Sequence, residues 1–206
     1  MKVMLIDTPA DPVRFGFAHL FTKRPGMKNQ DGSTSEAKYE LTPIIVPGGD
    51  NAKRVEEAIV AVAKEKWGDN WRDLYAEFAD DQKGLRKGDG KRNQSGETYD
   101  GFAGNLFVTA RNTNRPGVFN RTAAPVVEGD DGAPYSGCFG NVEIDVWALK
   151  KQGVKKRIVI DLLGAQKTRD GDAFGAGSAP SKASAFANLS AADDADEKPK
   201  ATSLLG

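Results

Sequence analysis

Residues 137–150 (GCFGNVEIDVWALK) and 154–165 (VKKRIVIDLLGA) alternate apolar and polar side chains almost without interruption. Successive side chains on a strand point to opposite faces, so this period of two dictates two long β-strands, each with one buried face. In the first, Val142, Ile144 and Val146 go inward and leave Phe139, Asn141, Glu143, Asp145 and Trp147 outward. In the second, Ile158, Ile160 and Leu162 are buried, while Arg157, Val159 and Asp161 turn out. Lys150-Lys151-Gln152-Gly153 is turn-forming and joins the two as an antiparallel hairpin. A hairpin is not stable alone. Its apolar face needs a cover and its edges need partners.

Three more strands are predicted upstream. Residues 13–24 put Phe15, Phe17, His19 and Phe21 on one face, where His19 is expected to be packed and hydrogen-bonded. Residues 38–46 form the next, with Pro43 marking an edge or a bulge. Residues 103–111 put Leu106, Val108 and Ala110 on one side and Asn105, Phe107, Thr109 and Arg111 on the other. A helix begins near Asn51, because Val55, Ile59 and Val62 recur at helical spacing with Ala58 and Ala63 beside them. Asp50 or Asn51 is the expected cap, and Gly68 the stop. A shorter helical stretch, 70–78, carries Trp71, Leu74, Tyr75 and Phe78, read as core packing.

Five strands and one main helix make the fold mainly β. A small closed barrel hides the edges of so few strands, and an OB-fold-like five-stranded Greek-key barrel is one such solution. This domain is expected to span residues 1–175. Residues 176–206 are rich in Ala, Ser, Gly, Lys and Asp and carry an acidic cluster, Asp193, Asp194, Asp196 and Glu197. So little apolar surface predicts a disordered, mildly acidic tail.

Several functions are excluded by what the chain lacks. One Cys and one His cannot build a four-ligand zinc site. No cofactor, metal ligand or catalytic residue is expected. Gly90-Lys91 is followed by Arg92, not Ser or Thr, which disfavours a phosphate-binding P-loop. Asp130-Asp131-Gly132 and Asp170-Gly171-Asp172 do not extend into calcium loops and read as turns. No apolar run reaches the ~20 residues of a membrane span. Asp7 interrupts the start too early for a signal peptide, so a cytoplasmic protein is expected.

The 29 basic and 29 acidic residues cancel, which argues against binding driven by bulk charge. The distribution is uneven. Residues 83–92 and 150–157 together hold ten basic residues and one acidic residue, Asp89. The outward faces pair an aromatic with a cation, Phe107 with Arg111 and Trp147 with Lys150. That pairing suits single-stranded nucleic acid, whose bases stack on rings while cations follow its phosphates. Arg115, Lys155, Arg157 and Lys167 lie near turns flanking these strands and extend the expected groove, and Tyr135 and Phe139 are further stacking candidates. Two other readings stand beside this one. Glu143 and Asp145, about 7 Å apart on one strand face, could with Asp161 serve a metal-dependent nuclease. A virion structural protein is the third reading.

From Tyr99 onward the chain resembles the phage-encoded single-stranded DNA-binding proteins of the enterobacterial-phage type. The resemblance rests on YDGFAGNLFVTARNTNRPGVFNR, PYSGCFGNVEIDVWAL and GVKKRIVIDLLGAQKTRDGDAFG. Its most specific parts are the Tyr135-to-Cys138 turn, Arg115-Pro116-Gly117 and the run from Lys167 to Gly171. With the upstream strands and helix in order, it spans roughly residues 10–175. It implies an OB-fold that binds single-stranded DNA without catalysis or sequence specificity, in phage DNA replication or recombination in the host cytoplasm. It also implies a tail that recruits phage or host replication proteins, or competes with DNA. Here Lys198 and Lys200 dilute the acidic cluster, and the end, Ser203-Leu204-Leu205-Gly206, has no aromatic tip. A homodimer is compatible with the resemblance.

Overall fold

In the computed structural model, residues 1–28, 32–150 and 155–175 are described. The predicted tail and most of the predicted 150–153 turn lie outside the described residues. In chain order the elements are β1 (Lys2–Leu5), β2 (Val13–Arg24), β3 (Lys38–Ile45), α1 (Asp50–Trp67), α2 (Trp71–Ala76), β4 (Leu85–Lys87), β5 (Leu106–Val108), β6 (Ala110–Asn112), β7 (Gly117–Phe119), β8 (Phe139–Leu149) and β9 (Arg157–Arg169).

The two alternating runs are β8 and β9, paired antiparallel from Leu149↔Arg157 to Phe139↔Arg169. Strict alternation holds one register from Leu149↔Arg157 to Ile144↔Leu162, and the pairing then shifts between Ile144 and Glu143 and again between Gly140 and Phe139. β9 continues to Arg169, beyond the predicted end at 165.

The five predicted strands form a closed ring in the order β2, β3, β5/β6, β9, β8. β2 and β3 are antiparallel, as are β3 and β5/β6. β6 then meets β9 in parallel, with Arg111 opposite Asp161. The ring closes where Arg14 pairs with Phe139. There the Phe15 N–H donates to the Cys138 carbonyl at 2.8 Å, and the Gly137 N–H donates to the Phe15 carbonyl at 2.7 Å. This strand order is that of an OB-fold barrel, as expected. The helix α1 is inserted between the second and third barrel strands. β3 is buried on both faces from Glu40 to Ile45, which explains its run of apolar residues.

The barrel core contains Leu5, Val13, Phe15, Leu41, Val108, Val142, Ile144 and Leu162. α1 presents Val55, Ala58, Ile59 and Val62 to the same core and packs on β1 and β8. The helix thus covers the inward side of β8 and leaves Trp147 uncovered on the other. Gly68 ends α1 with φ 72 and its N–H on the Lys64 carbonyl, as its position predicts.

Four expectations change. β1 was not anticipated, yet its two apolar residues, Val3 and Leu5, are buried and it pairs along β8 from Lys2↔Asp145 to Leu5↔Val142. β2 carries a bulge between Gly16 and His19, with Phe17 at φ 47. The extra residue reverses the facing of the strand, so Phe15 and Leu20 both reach the core and His19 is exposed rather than packed. A second unanticipated strand, β4, lies in the basic stretch 83–92 and pairs with β5.

The cap of α1 also differs. Gly49 occupies the N-cap position with no side-chain bond of its own. Asp11, forty residues earlier, takes over, its Oδ2 accepting the Asn51 N–H at 2.8 Å. Asn51 is buried and fastens the chain before β2, accepting the Ile6 N–H at 2.8 Å and donating to the Ile6 carbonyl at 2.9 Å. Replacing Asp11 by Ala should lower stability by about 1–2 kcal/mol, the range for a lost helix cap. Urea denaturation followed by circular dichroism measures this, and an unchanged midpoint would show that the cap is not Asp11.

Candidate nucleic-acid interface

An open cavity of about 510 Å³ lies on the outer face of the barrel, where β4, β6, β8 and β9 meet. Its wall carries Lys38, Arg86, Lys91, Arg111 and Arg157, against Asp81 and Asp161. The topology creates this concentration. The parallel β6–β9 pairing sets Arg111 opposite Asp161, the hairpin sets Trp147 opposite Val159, and β4 sets Arg86 opposite Phe107. Trp147 is 37% exposed, and its Nε1–H donates to Asp161 Oδ2 at 2.9 Å, which fixes the indole across the cavity.

The arginines are held from beneath. Glu40 is only 3% exposed and accepts from Arg111 Nε at 2.6 Å and from Arg24 Nη1 at 2.9 Å. Arg86 donates from Nη2 to Thr109 Oγ1 at 2.6 Å. Burial, and then the Arg111 guanidinium, push Arg86 below the usual arginine value. Burial, and then Arg86, push Lys91 below the usual lysine value. Both shifts record partly desolvated, mutually repelling cations. A bound anion would relieve that repulsion.

A second recess, of about 370 Å³, opens beside the first and is mainly apolar. Phe17, Tyr99, Phe102 and Phe174 line it. Lys91 belongs to the wall of the basic cavity and also stands 5.1 Å from the Phe17 ring centroid. Lys91 thus links a wall of the basic cavity to one ring of the recess.

Of the sequence-predicted residues, Arg111, Trp147 and Arg157 come together in the basic cavity. Lys150 and Lys155 are exposed at the two ends of the undescribed 151–154 segment, and Arg115 is exposed outside the cavity. Tyr135, Phe139 and Lys167 gather elsewhere. Lys167 Nζ lies 4.9 Å from the Tyr135 ring centroid and 2.8 Å from Asp170. The Tyr135 hydroxyl donates to the Gly171 carbonyl at 2.8 Å, and Arg169 lies 3.6 Å from the Phe139 ring centroid.

Phe107 requires a correction. It does point away from the barrel core, but it is only 2% exposed. Phe102 packs edge-on at 5.3 Å and Arg86 covers its ring at 4.5 Å. Its face is already occupied, so it supports Arg86 rather than meeting solvent.

The three carboxylates of the nuclease reading have separate partners. Asp145 accepts from the N-terminal ammonium at 2.6 Å, Glu143 is 4.0 Å from Lys2 Nζ, and Asp161 holds Trp147. Among the described residues, no group of three or more His, Cys, Asp or Glu is placed to hold a metal ion. Cys138 is buried, as predicted, and desolvation pushes its thiol up to about 11. No helix among the described residues is long and apolar enough to cross a membrane.

Glu40, Arg24 and the aromatic recess were not expected as site elements, and Arg86 and Lys91 fell only within the basic stretch 83–92. A single acidic residue within the predicted strand 38–46 was the available signal for Glu40. The recess offered none, because three of its four rings come from loops without periodicity.

Comparison with known proteins agrees with this architecture. The family described as Enterobacter phage Enc34, ssDNA-binding protein matches residues 3–197. Protein p50 of Acyrthosiphon pisum secondary endosymbiont phage 1 is 35% identical over 186 residues, covering 88% of this chain and 93% of its own. The single-stranded DNA-binding protein from bacteriophage Enc34, solved in complex with ssDNA, is similar in fold with a TM-score of 0.61 at 22% identity, over 84% of this chain and 89% of that one. The single-stranded DNA-binding protein gp2.5 of bacteriophage T7 is more distant, with a TM-score of 0.50 at 11% identity over 98% of this chain and all of that one. With the family pattern running through nearly its whole length, the chain belongs to the Enc34 phage ssDNA-binding protein family.

Proposed function

We propose that this protein is a non-catalytic, sequence-independent binder of single-stranded DNA that acts in phage DNA replication or recombination in the host cytoplasm. The observation that carries the reading is the basic cavity, in which five cations surround one partly exposed indole. Cations that already repel one another gain from a polyanion, and a base can stack on Trp147 beside them. Backbone phosphates and a ring face are common to all sequences, so neither interaction reads bases. Family membership supports the same ligand, as does the relative solved with single-stranded DNA. Residues 1–175 would be the binding domain. Residues 176–206 would be a segment that contacts phage or host replication proteins.

The roles divide by chemistry. Arg111, Arg157, Arg86 and Lys91 would follow the phosphates. Glu40 would position Arg111 and Arg24, because its buried carboxylate fixes both guanidiniums. Trp147 would stack a base while Asp161 holds its orientation.

Trp147→Ala should weaken binding to oligo-dT by about 1–3 kcal/mol without changing the melting temperature. Fluorescence anisotropy with a parallel melting curve checks this, and wild-type affinity would remove Trp147 from the site. Affinity should fall steeply with salt, and Arg157→Ala should flatten the slope of log K against log[salt] by about 0.7 for one lost phosphate contact. A slope near zero in the unmutated protein would contradict the phosphate groove. Phe107→Ala should instead cost about 3–5 kcal/mol of stability, as a large core truncation does. Lost affinity at unchanged stability would restore Phe107 as a DNA contact.

A further inference from the structure

The aromatic recess has no part in the cavity just assigned, yet it has the features of a ligand site. Its volume of about 370 Å³ falls within the range of ligand pockets, which begins at about 300 Å³. Phe17 and Tyr99 meet edge-on at 5.0 Å with an interplanar angle of 83°. Phe174 closes another side, packed so near Gly101 that a Cβ there would lie 2.6 Å from its ring.

Charge around the recess is sorted. Glu97 and Asp100 are among its lining residues and repel phosphate. The cations stand at its flanks. Lys91 lies over Phe17 at 5.1 Å, and Arg14 lies over Phe174 at 4.2 Å. A ligand that is flat and uncharged inside the recess and anionic outside it satisfies both sets. A nucleotide within a strand has that form.

Phe17 carries the most telling backbone. Its φ of 47 is costly for a bulky residue, and the β2 bulge holds it there. Strain of this kind is maintained at ligand clamps and here serves to aim one ring out of the barrel wall.

We propose that the recess lined by Phe17, Tyr99, Phe102 and Phe174 is a base subsite that takes one unstacked nucleobase of a bound single strand. The proposal rests on the single-stranded DNA reading and deepens it. The strand backbone would cross Lys91, which lines the basic cavity and stands over Phe17, so that one nucleotide stacks on Trp147 and another enters the recess.

The test uses the full-length protein. Phe174→Leu and Tyr99→Leu keep apolar volume and remove the aromatic ring. Each should bind oligo-dT about 5- to 150-fold more weakly, the span of one stacked base. The salt slope should not change, because no phosphate contact is lost. Oligonucleotides carrying bromouracil, irradiated on the unmutated protein, should crosslink to a peptide containing Tyr99 or Phe174. This second readout stands even if a variant fails to fold. If both variants bind like the unmutated protein and no crosslink maps to those peptides, while Trp147→Ala still weakens binding, the subsite is wrong and the general reading survives. If the unmutated protein does not bind single-stranded DNA, both fall.

Discussion

The structure depends on the seam that closes the barrel, where β2 meets the start of β8. On the other side of β8's first residues, β9 and the segment after it approach so closely that side chains are excluded. A Cβ on Gly140 would lie 2.1 Å from the Gln166 carbonyl oxygen, and one on Gly137, at φ 109, would lie 2.0 Å from that of Asp172. Arg14 spans the seam, donating to the Gly137 and Asp172 carbonyls at 3.1 and 2.9 Å. Closure here removes two sheet edges at once. It also determines which way β8 and β9 face, and so where Trp147 and Arg157 emerge.

The electrostatics follow from that geometry. A chain with no net charge still gathers five cations around one cavity, because β3, β4, β6, β9 and the loop after β4 deliver one each to the same patch of surface. The one deeply buried anion beneath them, Glu40, lies on the doubly buried strand β3. Breaking such a buried pair is costly, so Glu40 holds two arginines in place. Part of their charge is spent on it. Arg86, Lys91 and Arg157 do not pair with Glu40 and supply the field that a phosphate would feel.

What was legible in the sequence was whatever had a period. Alternation in 137–150 and 154–165 gave the hairpin, and the 3.6-residue rhythm of Val55, Ile59 and Val62 gave α1. Barrel closure followed from edge avoidance, and Trp147, Arg111 and Arg157, each read as outward-facing, line one cavity. Long-range side-chain events were not legible. A one-residue bulge at Phe17 leaves no mark in composition, yet it reverses half a strand and exposes His19. Asp11 caps a helix forty residues away. Phe107 looked free because alternation reveals which face a residue is on, not what a loop lays over it, and Phe102 comes from such a loop.

The central claim is that single-stranded DNA meets the β8–β9 face of the barrel at Trp147. The chain has three tryptophans, and they report on three places: Trp147 in the basic cavity, Trp67 at the end of α1 against Phe78, and Trp71 at the start of α2. Their indole N–H signals can be followed separately by NMR while oligo-dT is added. The Trp147 signal should move and saturate while those of Trp67 and Trp71 stay in place. A titration in which Trp71 moves and Trp147 does not would contradict it.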